Sequence, residues 1–147
     1  MDRRTRAREL ALQALYQLDV QGASILGQMQ EFFTENEPDK LSCKLAWEWT
    51  KGAWENLAVC DEWIVNSTKK WGLSRLSLVD KNILRLSVFH LKCCSDIPPK
   101  VVINEAIELA KKFSTEQSPA FVNGVLDSIL KKITGENNST PAVEEKT

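Results

Sequence analysis

The segment from Ile97 to Leu130 constrains the fold most strongly, because it has the pattern of two amphipathic helices joined by a short polar connection. Pro98 and Pro99 suit the first turn of a helix, where backbone N–H groups have no intrahelical partner. Ser118 predicts an N-cap for the second helix, with Pro119 at its first position. Apolar residues recur every three or four positions in both halves, at Val102, Ala106, Leu109, Phe113, Val122, Val125, Leu126 and Ile129. Two such faces must be buried, which predicts the centre of an all-helical core.

The same helical spacing extends over most of the chain, and alternating strand patterns are absent from it. It predicts helices over residues 5–20, 25–33, 41–67 (as one long helix, or two with a bend near Gly52) and 78–93. Ser77 and Asp80 form an S-x-x-D capping pattern before the helix that starts at residue 78. Four tryptophans in the 41–67 segment lack interleaved cations, which favours packing over base stacking: Trp47, Trp49, Trp54 and Trp63.

A chain of 147 residues suits one domain, which we place at residues 1–134. Residues 135–147 contain too few apolar side chains to fold, so they predict a disordered acidic tail. The sequence has no apolar run near the roughly 20 residues that cross a bilayer, and no signal-peptide core follows its charged start. We therefore expect a cytoplasmic protein without membrane contact.

The cysteines and the histidine give no sign of catalytic or metal chemistry. The four cysteines form no CxxC pair, and the single histidine, His90, has no obvious acidic partner nearby in the sequence. Zinc sites usually show such ligand spacing, so we expect reduced, mostly buried thiols, no metal and no cofactor. The Cys93-Cys94 pair closes only a strained ring, and His90 is best interpreted as a packed side chain.

Charge is distributed unevenly along the chain. The net charge of −1 argues against indiscriminate nucleic-acid binding, which needs clustered cations. The first eight residues nevertheless contain four arginines: Arg3, Arg4, Arg6 and Arg8. Two interpretations stay open, a frayed and solvated basic end or an RNA-binding arm that becomes ordered on contact. Arg4 and Arg8 are one helical turn apart, so we expect both to project from the same side.

Three phrases, in order and at matching spacing, resemble one known family. They are RARELALQALYQLD near the start, VDKNILRLSVFHL in the middle, and PPKVVINEAIELAKKF followed by FVNGVLD. Together they resemble the transcription antitermination factors of the NusB family over almost the whole chain.

The resemblance implies a compact all-α bundle of about six or seven helices in two halves, with no catalytic activity. It implies binding to the boxA element of ribosomal RNA operon transcripts together with NusE, a small-subunit ribosomal protein. The complex acts on the RNA polymerase elongation complex and assists ribosomal RNA maturation. Family members occur as monomers and as homodimers. One alternative is the NusB-like RNA-guiding domain of a ribosomal RNA cytosine methyltransferase, although the 147 residues hold no catalytic domain of that kind. The other is a purely structural helical adaptor whose basic arm is incidental.

The resemblance also implies site residues. RNA contacts fall on Arg4, Arg6 and Arg8 with the adjacent Arg3, and on Phe113, Gln117 and Phe121; Tyr16 and Asp80 fall on the side that meets NusE. Gln117, Pro119 and Ala120 depart from a stretch like Asp-Ser-His-Lys, so one cation of the family is missing here. We expect the arginines to lie beside the start of the last helix, whose free N–H groups favour an anion.

Overall fold

The computed structural model describes residues 2–68 and 76–135. Within these ranges the chain forms seven α-helices and no strand, which confirms the expected all-α bundle. The helices are α1 (Arg3–Gln21), α2 (Met29–Asn36), α3 (Lys40–Glu55), α4 (Leu57–Ser67), α5 (Leu78–Cys93), α6 (Pro99–Phe113) and α7 (Ser118–Thr134), with a 3₁₀ turn over Ala23–Gln28. Apart from Gly135, the predicted acidic tail lies outside the described residues.

The bundle has two halves that meet at α5. In the first half α1 packs along α3, and α2 packs on α3; in the second, α6 packs along α7. Helix α5 contacts α1 and α3 of the first half as well as α4, α6 and α7. It is accordingly buried almost all round, including Ile83, Leu84, Leu86 and Val88. The Ile97–Leu130 segment forms the α6–α7 pair, as its pattern predicts.

Helix ends differ from expectation in three places. The predicted 25–33 helix is instead the 3₁₀ turn followed by α2, because Gly22 (φ 93°) ends α1 and the chain turns sharply there. The 41–67 segment does bend, but at Asn56, whose side-chain amide donates to the Gly52 carbonyl at 2.8 Å and so ends α3. Ser118 is the first residue of α7, and Gln117 occupies the cap position without a side-chain cap bond.

Packing explains the tryptophans and the histidine. Trp49 is buried, and Trp47, Trp54 and Trp63 are partly buried against the core. His90 is buried with its ring 4.4 Å from that of Trp49, centroid to centroid. Burial lowers the pKa of His90 to about 3, so the imidazole is neutral at physiological pH.

The cysteines are free thiols, but they are less buried than expected. Only Cys60 is buried, and Cys93 is exposed. None of the helices in residues 2–68 and 76–135 has the length and apolar character that a bilayer crossing requires.

Candidate nucleic-acid interface

The arginine-rich segment is already helical. Helix α1 begins at Arg3, and the Asp2 side chain caps it by accepting a hydrogen bond from the Arg4 N–H at 3.2 Å. The basic segment is therefore neither a frayed end nor an arm that becomes ordered only when it contacts RNA. The arginines are therefore held in fixed relative positions along the helix.

Arg3 and Arg4, which are exposed, and Arg6, which is half-buried, each form an ion pair with a carboxylate that is distant in the sequence. The pairs are Arg3 with Asp39 at 2.8 Å, Arg4 with Asp96 at 3.2 Å and Arg6 with Glu37 at 2.8 Å. The hydrogen bond from Arg3 holds the pKa of Asp39 down to about 2. The backbone N–H of Asp39, and then Arg6, lower the pKa of Glu37. Both carboxylates are thus ionised at neutral pH and only accept hydrogen bonds.

Arg8 does not project beside Arg4. Its side chain is only 4% exposed; one terminal nitrogen donates to Glu105 at 3.3 Å, and its guanidinium carbon lies 5.3 Å from the centre of the Trp49 ring. Burial lowers the pKa of Arg8, although Glu105 partly offsets this effect. A guanidinium in this position presents no donor to a surface ligand. We reassign Arg8 from the predicted RNA contacts to the packing between α1, α3 and α6.

The aromatic residues predicted to face RNA lie around the α6–α7 connection. Phe113 ends α6, and both it and Phe121 are partly buried against the core. Phe121 and the exposed Gln117 line a shallow cavity of about 290 Å³ with Asp80. The two rings therefore combine core packing with an accessible edge.

Asp80 has a structural function that the sequence did not predict. One of its carboxylate oxygens accepts from the Ser114 hydroxyl at 2.6 Å, and the other accepts from the Ser118 hydroxyl at 2.9 Å. Its own N–H donates to the Ser77 side chain at 3.1 Å, which confirms the predicted cap of α5. Asp80 thereby ties the start of α5 to both ends of the α6–α7 connection. Tyr16, the other residue predicted to face NusE, is 40% exposed on α1.

The arginines and the start of α7 do not lie side by side. Arg4 pairs with Asp96, just past the C-terminal end of α5, whereas Ser118 bonds to Asp80 in the first turn of α5. A 16-residue helix is about 24 Å long, so the two groups lie near opposite ends of α5. Helices α1 and α5 run antiparallel, because Asn82 near the start of α5 donates to Asp19 near the end of α1 at 3.1 Å.

Two residues that the sequence did not single out as functional, Glu9 and Lys112, lie between the arginines and the α6–α7 connection. Glu9 is almost fully buried and accepts from Arg6 at 3.3 Å and from Lys112 at 2.8 Å. The Lys112 ammonium also lies 5.4 Å from the centre of the Phe113 ring. Glu9 itself carries no clear signal in the sequence, because Arg8 precedes it and Arg6 and Gln13 lie one helical turn away. Lys112 has the sequence pattern of an ordinary solvated cation on α6.

Fold and site together define a class: an all-helical protein whose distinctive surface is a preformed, ion-paired arginine segment. Across the described residues, no three His, Cys, Asp or Glu side chains are arranged to hold a metal.

Comparison with known proteins identifies the family. The NusB family model matches residues 5–131. A transcription antitermination protein NusB from Geotalea uraniireducens is 47% identical over 137 residues, which cover 88% of this chain and 94% of that protein. One from Anaeromyxobacter dehalogenans (strain 2CP-1) is 48% identical over 128 residues, covering 86% and 89%. The chain belongs to the NusB family.

Solved structures agree with this assignment. NusB from T. maritima aligns with a TM-score of 0.81 at 39% identity, over 90% of this chain and 92% of that one. A chain from a crystal structure of antitermination factors NusB and NusE in complex with dsRNA aligns with a TM-score of 0.81 at 30% identity, over 90% and 98%. The resemblance inferred from the three sequence phrases is therefore confirmed.

Proposed function

We propose that this protein is an RNA-binding transcription antitermination factor. It binds the boxA element of ribosomal RNA operon transcripts together with NusE, and so acts on the RNA polymerase elongation complex and on ribosomal RNA maturation. The observation that carries the proposal is the match to the NusB family over residues 5–131, with relatives named as transcription antitermination proteins. The role is one of binding rather than catalysis, and it is exercised in the cytoplasm, where transcripts of this kind are made.

The exposed end of α1 supports RNA binding physically. Arg3 and Arg4 have 59% and 44% of their side-chain surface exposed, and Arg6 has 25%. Guanidinium groups bind phosphate through forked donors and also stack on bases, which suits a single strand with open base edges. Because the helix is preformed, binding does not have to order the segment.

The ion pairs argue for modest affinity of the protein alone. Asp39 and Asp96, which accept one N–H each from Arg3 and Arg4 at 2.8 and 3.2 Å, offset part of the positive charge that a phosphate would meet, although both guanidiniums keep further N–H donors. An exposed pair of this type contributes about 0–1 kcal/mol, so a phosphate can bind beside it but gains little. We therefore propose that a partner completes the binding surface.

We assign the NusE-facing side to Tyr16 and Asp80. Tyr16 is an exposed aromatic residue on a helix surface, a residue type that is enriched at protein interfaces. Asp80 lines the cavity beside Phe121, which brings the proposed partner contact next to the proposed RNA contacts Gln117 and Phe121.

The test is a titration of fluorescently labelled single-stranded boxA RNA with the protein, with and without NusE, at several salt concentrations. We expect NusE to tighten binding. The double variant Arg3→Ala/Arg4→Ala should reduce the dependence of log K on log salt by up to about 1.4, at about 0.7 for each phosphate that is no longer neutralised.

A matched control removes the same charge elsewhere. Lys51 and Lys131 are similarly exposed and each is paired one turn away with an acid, so Lys51→Ala/Lys131→Ala should leave the salt dependence unchanged. Equal effects of the two double variants would mean that only net charge matters and that the arginine segment is not the site. Absence of any NusE effect on the unaltered protein would refute the assigned partner.

A further inference from the structure

Lys112 occupies a position between the arginine segment and Phe113. It lies in the last turn of α6, and its ammonium contacts Glu9 on α1 at 2.8 Å while lying 5.4 Å from the Phe113 ring centre. About half of its side chain is exposed. No other cation in the described residues contacts both α1 and an aromatic residue predicted to face RNA.

The same ammonium lines a cleft of about 790 Å³. Arg3 and Arg6 from α1 are the other two cations of this cleft. Arg6 is fixed there by three hydrogen bonds: to Glu37, to Glu9 and to the Asn36 carbonyl. These bonds use one N–H on each guanidinium nitrogen, so one donor on each terminal nitrogen is left. Lys112 likewise uses one of its three N–H donors on Glu9.

Carboxylates also line the cleft, namely Asp2, Glu9, Glu37 and Asp39. Four carboxylates in one cleft would repel an anion, so whether an anion can bind depends on how exposed each carboxylate is. Glu9 and Glu37 expose only 6% and 15% of their side chains, against 52% for Lys112. Glu9, Glu37 and Asp39 each accept hydrogen bonds from a cation of the cleft. Asp2 and Asp39 are more exposed, with 35% of the Asp39 side chain accessible, and Arg3 offsets the charge of Asp39. At Lys112 an approaching anion therefore meets the free N–H groups before it meets Glu9 or Glu37.

We propose that Lys112, held in place by Glu9, binds a backbone phosphate of single-stranded RNA in this cleft together with Arg6. The inference rests on the RNA-binding function proposed above and adds a residue and a path to it. The path runs from the start of α1 across Lys112 to Phe113 and the α6–α7 connection. It thereby links the arginines to the start of α7, which lie near opposite ends of α5. It also supplies a cation close to a connection where Pro119 and Ala120 provide none.

The test compares Lys112→Ala with Lys111→Ala, using labelled single-stranded boxA RNA over a range of salt concentrations. Lys111 is the adjacent residue on α6, is similarly exposed and pairs with Glu108, but it does not line the cleft. We expect Lys112→Ala to reduce the dependence of log K on log salt by about 0.7, the value for one phosphate contact on a single strand. Its affinity should fall about two- to fivefold, as expected when one exposed ion pair is removed.

Two further variants separate binding from folding. Lys112→Arg keeps the charge and the reach, so it should retain the salt dependence of the unaltered protein. Lys112→Ala leaves Glu9 with Arg6 as its remaining partner, so its urea midpoint is measured alongside; a weaker fold without a change in salt dependence would refute the proposal. Equal salt dependence for Lys112→Ala and Lys111→Ala would also refute it, while the effect of Arg3→Ala/Arg4→Ala would still stand for the proposed function. Failure of the unaltered protein to bind the RNA would overturn both.

Discussion

Replacing Arg8 tests whether this arginine holds the fold together or binds a ligand. The side chain is 4% exposed and lies between the Trp49 ring and Glu105. Breaking a fully buried ion pair costs about 3–5 kcal/mol, because the remaining charge is left without a partner. Glu105 is 25% exposed, so water can solvate it and the cost falls toward the lower end of that range. Removal of the packed arginine stem adds to it.

We expect Arg8→Ala to lower the free energy of unfolding by about 3 kcal/mol, or the melting temperature by about 6–12 °C for a chain of this size. Arg8→Met should cost less, because it keeps the packing of the stem. Both variants leave Glu105 without this partner, and both remove two buried guanidinium nitrogens, Nε and Nη2, that have no hydrogen-bond partner. The difference in unfolding free energy between the two variants therefore measures the packing of the stem.

The assay is urea denaturation followed by far-UV circular dichroism. A shift in the urea midpoint reports a change in stability if the slope of the unfolding free energy against urea concentration is unchanged. The same variants are titrated with labelled RNA under conditions where they are fully folded. The reasoning is refuted if Arg8→Ala retains the urea midpoint while the salt dependence of its RNA affinity falls by about 0.7, since that combination describes an exposed phosphate contact.

Three other changes test the packing and its pH dependence. The pKa of His90 is about 3 in the native chain, against an ordinary value of 6.5, so below pH 6.5 the unfolded chain binds a proton that the native chain does not. The free energy of unfolding should therefore fall by about 2 kcal/mol from pH 8 to pH 5. His90→Leu should abolish most of that fall. Gly52→Ala should destabilise by about 1–2 kcal/mol in urea denaturation, because the added Cβ would lie 2.3 Å from Phe89 Cζ and overpacking outweighs the gain in helix propensity. Asp80→Ala should cost about 2 kcal/mol in the same assay, since two hydroxyls would be deprived of a charged acceptor, one of them on the buried Ser118.

Each of these has a contrary outcome. If the stability of His90→Leu falls between pH 8 and pH 5 as much as that of the unaltered protein, another group titrates in this range. The carboxylates with lowered pKa do not, because they lose their contribution to stability only below about pH 4.5; these are Asp19, Glu37 and Asp39. A Gly52→Ala variant that is more stable would mean that Phe89 moves freely. Unchanged stability of Asp80→Ala would mean that its hydroxyl partners find water instead.

The sequence predicts the helices well because their boundaries are local. Pro98 and Pro99 open α6, the Ser77 hydroxyl caps α5, and the 3.6-residue spacing marks each buried face. The pattern places the second helix four residues too early, because a stretch of six residues is too short for apolar spacing to distinguish the tighter 3₁₀ turn from an α-helix.

The arginines cannot be sorted from sequence in the same way. Their partners lie between 31 and 97 positions away, so only the packed bundle brings them together; these are Glu37, Asp39, Asp96 and Glu105. Arg8 does carry a signal, since Leu12 and Leu15 follow it at helical spacing and all three are buried. In the sequence, however, a charged residue on an apolar stripe looks the same as one more member of a basic cluster.

The hydroxyl contacts of Asp80 have a thermodynamic consequence. Any group that binds this carboxylate competes with Ser114 and Ser118, and so weakens the tether that fixes the α6–α7 connection. By linkage, whatever restrains that connection must in turn alter the affinity for the competing group by the same factor. Through this one acidic side chain, binding at Asp80 and binding at the α6–α7 connection are energetically coupled, with no change of fold required.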